Sequence, residues 1–541
     1  MADAVVIGSG PNGLVAANLL ADAGWSVEVF ESQDEPGGAV RSDRGVHPDF
    51  VSDIFSAFYP LAAASPVLNG LGLEREGLRW SRAPFVLAHP LLDGSCAVLD
   101  PDRAGTAARL DRFADGDGRA WTSLCQVWDQ VGDDVLRALF TPFPPVRAMA
   151  ALAARLHAAG GIRLARSLLL PVRRLGEEEF SGQGGRLLLA GNALHADLAP
   201  EAAGSGGFGW LMAMLGQAYG FPVPVGGAGA LTSALVRRLR ARNVDVHCGS
   251  RVTEVVVRRG RAVGVRTENG DAVPARKAVL ADVSAPSLYL DLIAPEHLPP
   301  RVFGDLQRFQ WDFATFKVDW ALNRPIPWSA EEARSAGTVH VAEGIDDLTL
   351  FAAQIAMGQI PERPFALVGQ MTTADASRSP QGTESAWAYT HVPHRVKSDA
   401  GGDGLTGRWD AAEAERFADR LEQRIESYAP GFRSGVMARR VLPPPALQAA
   451  DSNLHGGAIN GGTTSLHQQL VFRPLPGTGR PETAVRGLYL ASASAHPGGG
   501  VHGAPGANAA RAALRARGAA ALVSTGRRAL AHRNRAAEPP R

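Results

Sequence analysis

The stretch Ala4-Val5-Val6-Ile7-Gly8-Ser9-Gly10-Pro11-Asn12-Gly13-Leu14-Val15-Ala16-Ala17 decides the fold of this 541-residue chain. Its first four residues form an apolar run, as a buried parallel strand should. The glycines that follow are spaced G-x-G-x-x-G. Leu14, Val15, Ala16, Ala17, Leu19 and Leu20 then recur at helical spacing as far as Gly24, where a helix end favours glycine. A second strand, Ser26-Val27-Glu28-Val29-Phe30, ends at Glu31. Each part has a physical task. Gly8 permits the tight turn, Gly10 lets a pyrophosphate approach bare backbone, and Gly13 lets the helix lie close on the strand. The helix start offers N–H groups and a positive dipole end to phosphate oxygens. Glu31, eighteen residues beyond Gly13, is placed to accept hydrogen bonds from ribose hydroxyls.

The glycines soon resume. Asp34-Glu35-Pro36-Gly37-Gly38-Ala39-Val40-Arg41 sets a glycine pair and a guanidinium just after the ribose acid. Bare backbone with an arginine makes a second approach to a pyrophosphate, which a simple nicotinamide dinucleotide domain does not need. Taken together, Gly8 to Gly13, Glu31 and Gly37-Gly38-x-x-Arg41 resemble the flavin amine oxidase and phytoene desaturase superfamily.

The other end of the chain carries a second signal. Gly487 to Ala493 reads as a strand, Ser494 to Gly503 as a loop, and Ala504 to Arg511 as the start of a small-residue helix with Pro505 in its first turn. Gly498 to Gly503 repeats the G-x-G-x-x-G spacing, but no second strand with a ribose acid follows. The loop reads better as backbone laid against a flat ring. A helix N-terminus aimed at a reduced flavin would stabilise its negative charge. With Gly456 to Gly462 and Gln469-Leu470-Val471-Phe472-Arg473-Pro474, this segment is similar to the phytoene-dehydrogenase-like branch that includes the pyridine nucleotide-disulphide oxidoreductase domain-containing protein 2 group.

That resemblance implies an α/β chain: a Rossmann-like FAD-binding domain (GR2-type) intertwined with an α+β substrate domain and a helical cap. Residues 1–100, 221–290 and 441–517 are expected to build the FAD-binding domain. Residues 101–220 are expected to form the cap, 291–440 the sheet of the substrate domain, and 518–541 a disordered tail. The resemblance also implies non-covalent FAD, with contacts from Gly8, Gly10, Gly13, Glu31, Gly38, Arg41, Val252, Gly500 and Val501. An elongated apolar substrate channel comes with it.

The chemistry is less sharply marked. A flavin accepts hydride, so a base is needed only where a proton also leaves. His496 and His502 flank the triple glycine and are the candidate catalytic residues, since imidazole shuttles protons near neutral pH; a backbone-bonded structural role competes with this. His455 and His467 are weaker candidates. The amine oxidase branch often uses a lysine near the flavin, but nothing in the sequence assigns Lys317 that role. Three functions compete: a dehydrogenase or desaturase acting on a lipid- or isoprenoid-like substrate, an oxidase of amines or other polar substrates, and a low-turnover flavoprotein with a regulatory role.

Composition bounds the rest. A net charge of +1 gives no global field for nucleic acid. Cys96, Cys125 and Cys248 are too widely spaced for a zinc or redox pair, so no metal is expected. No signal peptide precedes the first strand, and a cytoplasmic protein is expected. Val146 to Leu175 alternates aliphatics with six arginines and no acid. It reads either as a basic amphipathic pair for peripheral membrane contact or as a cap whose arginines meet acids elsewhere. The aromatics Phe309, Trp311, Phe313, Phe316 and Trp320 either line an apolar pocket or pack a sheet core.

Overall fold

A computed structural model describes residues 1–156 and 160–516. The first strand, Ala2–Ile7, is buried throughout and feeds the helix Pro11–Asp22. It lies at the centre of a sheet, parallel to Val27–Phe30 on one side and to Ala272–Ala281 on the other. Val246–His247 extends the sheet beyond Val27–Phe30, and Leu488–Leu490 extends it beyond Val279 to Ala281, both in parallel. Parallel neighbours need crossovers, so this sheet gathers strands from both ends and the middle of the chain. The near half of Ala272–Ala281 turns antiparallel against Arg261–Thr267, which pairs with Val252–Arg258. The turn at Asn269-Gly270 expected from sequence closes the first of these hairpins.

Helices Pro11–Asp22 and Gly229–Arg240 cover one face, where Leu14, Leu20, Leu231 and Leu235 are wholly buried. Asp22 ties the two helices by accepting from Arg238 and Arg242. The other face buries Val5, Val279, Leu288 and Leu488.

A second sheet runs in the order Val436–Leu442, Ala314–Leu322, Glu384–Val392, Ala366–Gln370, Ala336–Val341, Phe85–Pro90, Cys96–Leu99. Its last two strands correct the expected domain boundary at residue 100. Phe85–Pro90 pairs in parallel with Ala336–Val341, and Cys96–Leu99 pairs back on it. Residues 85–99 therefore belong to the second sheet. An apolar hairpin looks the same locally whichever sheet it joins, and its partner strand lies far along the chain.

Ala314–Leu322 shows why the aromatics do not line a pocket. Side chains alternate across a strand. Phe316, Val318 and Trp320 point into the core shared with Phe417 and Leu421 of helix Ala411–Glu426. Thr315, Lys317 and Asp319 point the other way. Phe309 and Trp311 pack on each other, edge to face.

The helices Asp117–Leu139, Val146–Leu156, Ile162–Leu169, Val172–Glu179, Gln183–His195 and Ser205–Tyr219 form a helical layer. Trp121, Trp128, Leu188 and Trp210 from this layer share a core with Leu87, Leu99 and Leu367 of the second sheet. Four of the six arginines of the basic stretch meet acids: Arg155 meets Asp134, Arg166 and Arg174 meet Glu178, and Arg173 meets Glu201 and Asp346. Among the described residues, no helix is long and apolar enough to cross a membrane. The tail expected over 518–541 lies outside the described residues.

Candidate functional site

The sequence folds its glycine segments against one another. Gly8 N–H donates to the Phe30 carbonyl at 2.8 Å, which sets the turn on the end of the second strand. A Cβ on Gly13 would fall 2.2 Å from the Gly8 carbonyl oxygen, so only glycine lets the helix begin this close. A Cβ on Gly38 would fall 3.0 Å from the Gly10 Cα, so the second glycine turn is stacked directly on the first. The helix Pro11–Asp22 receives no cap from the side chain of its own N-cap residue, because that residue is Gly10. Instead Asp282, at the end of strand Ala272–Ala281, accepts the Gly13 N–H at 2.7 Å.

Glu31 is fixed by four hydrogen bonds. Its Oε2 accepts from Ser9 N–H and Ser9 Oγ, and its Oε1 accepts from Gln33 N–H and Ser32 Oγ. A ribose hydroxyl reaching this carboxylate would share it with the two serine hydroxyls, which can rotate. Arg41 is a brace: it donates to the carbonyls of Gly38 and Ala450, and its guanidinium sits over Phe55.

The C-terminal motifs are held by two buried charges. Asp312 accepts the N–H groups of Ile459, Asn460 and Gly462 at 2.6, 2.8 and 3.1 Å. Arg473 donates to the carbonyls of Asn460, Thr463 and Ala493. Arg473 thereby joins the glycine-rich segment 456–462 to the loop that follows Leu488–Leu490. Burial pushes its guanidinium down to about 10 and pushes the Asp312 carboxyl up.

One cavity runs through these segments. Gly8, Gly10, Glu31, Gly38, Val252, Gly500 and Val501 line it, bringing the two ends of the chain to one space. Gly13 and Arg41 stand behind that wall rather than in it. Its wall includes bare backbone at a helix start, the acid Glu31, and the loop Gly499 to Val501 leading into the helix at 504–516. A pyrophosphate on the bare backbone, a ribose at Glu31 and a flat ring against the loop fit such a lining.

The candidate catalytic histidines need correction. His496 lies off the cavity, bonded through Nε2 to the Thr141 carbonyl at 3.1 Å. His502 lines the cavity, but its Nδ1 accepts the Ala504 N–H and its Nε2 donates to the Gly499 carbonyl. Both ring nitrogens of His502 are thus spent on holding the turn. Burial lowers both imidazoles to about 4, so neither carries a proton to give near neutral pH. Of the weaker candidates, His455 stacks on Trp311.

The side chain to which the sequence alone assigned no role is Lys317. It lines the cavity on strand Ala314–Leu322, donating to the Asp53 carbonyl at 2.9 Å and paired with Asp319. Its ammonium lies 5.8 Å from the Trp387 ring centroid, and Trp387 stacks on Tyr389, the register partner of Lys317. Burial lowers the Lys317 ammonium, and Asp319 opposes the shift. The signal was present: a lysine and an aspartate two apart in an apolar strand share one face and so form a buried pair. The same cavity is also lined by the apolar side chains Leu61, Leu139, Phe208, Leu211 and Met212.

Comparison with known proteins agrees with this geometry. A family model described as flavin containing amine oxidoreductase matches residues 12–349. The pyridine nucleotide-disulfide oxidoreductase domain-containing protein 2 of Mus musculus is 29% identical, over 95% of this chain and 93% of its own. A lycopene-forming phytoene desaturase of Pseudescherichia vulneris is 26% identical, over 95% of this chain and 99% of its own. Among solved structures, cyclohexylamine oxidase from Brevibacterium oxydans superposes with a TM-score of 0.56 at 16% identity, over 95% of this chain and 98% of that one. At that identity the likeness concerns the fold alone.

Proposed function

Given that the chain belongs to the flavin-containing amine oxidoreductase family and is an FAD-dependent oxidoreductase, we propose that it dehydrogenates an apolar, lipid- or isoprenoid-like substrate. In this reading Gly8, Gly10 and Gly38 hold the pyrophosphate on bare backbone, and Glu31 and Val252 lie along the adenosine half. Gly500 and Val501 lie along the ring. Gly13 and Arg41 set the shape of that cradle from behind. When bound, FAD supplies the hydride acceptor.

The chain's own residues do the rest. The observation that carries the reading is the apolar wall formed by Leu61, Leu139, Phe208, Leu211 and Met212. Such a wall aligns a hydrocarbon chain and keeps water from the reacting carbon. Lys317 is held by Asp319 and the Asp53 carbonyl, which fixes its ammonium in place. The likeness to a phytoene desaturase over nearly the whole chain supports the same substrate class.

A second reading has one observation in its favour. Trp387 and Tyr389 stack with ring centroids 5.9 Å apart beside Lys317, and an aromatic pair of this kind suits an amine. Anaerobic titration of the holoenzyme separates the two. Bleaching of the flavin absorbance by isoprenoid or lipid compounds is expected, and bleaching by amines alone would sink the proposal.

A further inference from the structure

Two polar side chains interrupt the apolar half of the cavity without serving the protein's own hydrogen bonding. His195 lines the cavity at the last residue of helix Gln183–His195, and Tyr389 lines it from strand Glu384–Val392; their ring centroids are 6.3 Å apart. His195 Nδ1 is buried with no hydrogen-bond partner, and among the described residues nothing engages the Tyr389 hydroxyl. The nearest acid is committed elsewhere: Asp197 is paired with His391 at 2.8 Å and accepts from Asn460. Phe208, Leu211 and Met212 complete the surroundings.

The imidazole is held in place. Helix Gln183–His195 lies so close on strand Ala336–Val341 that a Cβ on Gly191 would fall 2.2 Å from His340 Nδ1. Phe221 and His340 pack edge-on against His195 with centroids 6.2 and 6.0 Å away. Side chains fixed this firmly pay little entropy when they bind.

Resting on the apolar-substrate reading above, we propose that His195 and Tyr389 form a recognition subsite for one neutral oxygen function, a hydroxyl or a carbonyl, on an otherwise apolar substrate. The groups facing the subsite favour a neutral occupant. Burial lowers the His195 imidazole to about 4 and raises the Tyr389 phenol, so both are uncharged near neutral pH. Lys317 is already spent on Asp319, so a carboxylate would be buried without a counter-charge. A neutral oxygen can accept from one ring and, as a hydroxyl, donate to the other. An apolar wall that leaves these groups unpaired penalises a pure hydrocarbon.

The test uses the holoenzyme and reads ligand binding from the perturbed flavin absorbance, with farnesol, farnesene and dodecylamine as probes. Farnesol is expected to bind about tenfold more tightly than the hydrocarbon farnesene. Tyr389→Phe and His195→Phe should each remove most of that advantage, weakening farnesol and tightening farnesene, which no longer leaves a buried polar group unpaired. His195→Gln, which keeps a hydrogen-bonding group, should retain part of it and guards against a packing defect in the phenylalanine variant. Equal binding of farnesol and farnesene to the wild-type enzyme overturns the subsite and leaves the apolar reading standing. An advantage that persists in both phenylalanine variants does the same. If dodecylamine binds and neither terpenoid does, the apolar reading falls and takes the subsite with it.

Discussion

At the scale of a residue, the most consequential group is an acid placed where an anion is expected. Asp282 lines the cavity beside Gly8 and Gly10, and a Cβ on Gly10 would fall 2.7 Å from its Oδ2. Burial, with Asp451 and Glu31 facing it, pushes its carboxyl up to about 8 against the opposing Gly13 N–H. The neutral carboxyl is thereby favoured near pH 7, with its Oδ2 accepting from Gly13. Above pH 8 it ionises next to the backbone proposed to hold the pyrophosphate. The dissociation constant for FAD, read from quenching of flavin fluorescence, should rise by up to about tenfold between pH 7 and pH 9. In Asp282→Asn, whose amide oxygen still accepts from Gly13, that rise should vanish; the same pH dependence in the variant would refute this role. Glu31 was legible in the sequence because its distance from the glycines is a local fact. Asp282 was not, because its significance comes from burial against segments that meet only in the fold.

Elements repeat the contrast. Both glycine turns, the Asn269-Gly270 hairpin and the strand-loop-helix at the carboxyl end could be read locally, since turn chemistry and hydrophobic period act over a few residues. Which elements touch could not be read so simply, as the hairpin at 85–99 shows. The closest approach of all joins the two ends of the chain. The helix at 504–516 crosses Pro11–Asp22 so tightly that a Cβ on Gly506 would fall 1.9 Å from the Asn12 carbonyl oxygen, and one on Gly503 would fall 2.8 Å from Val15. Gly506→Ala must push the helices apart. Overpacking of this kind costs about 1–3 kcal/mol. Thermal unfolding of the variant should begin several degrees below wild type, and the protein should lose FAD on gel filtration, because the same crossing anchors the chain just after Gly500 and Val501, which line the cavity. An unchanged melting temperature with full flavin content would show that the crossing does not hold the site together.

Across the whole molecule, two sets of buried titratable groups oppose each other. His89, His195, His496 and His502 are lowered to about 4 by burial, and His340 further. A depressed imidazole contributes stability that is present above its unfolded value of 6.5 and is lost as pH falls through the folded one. Asp282 and Glu384 are raised to about 8 and about 7, and Asp312 and Asp451 are raised as well, again mainly by burial. A raised carboxyl contributes stability that is complete below its unfolded value near 4 and is lost as pH climbs through the folded one. Between pH 4 and 6.5 the unfolded chain takes up protons on the imidazoles and releases them from the carboxyls, so the two slopes largely cancel. From pH 6.5 to 8 the imidazoles no longer differ between states while the raised carboxyls still do, Asp282 at about 8 reaching beyond Glu384 at about 7. The melting temperature of the flavin-free protein should therefore stay nearly level from pH 6.5 to 5 and drop from pH 6.5 to 8. A steep loss on the acid side instead would mean that the imidazoles outweigh the carboxyls.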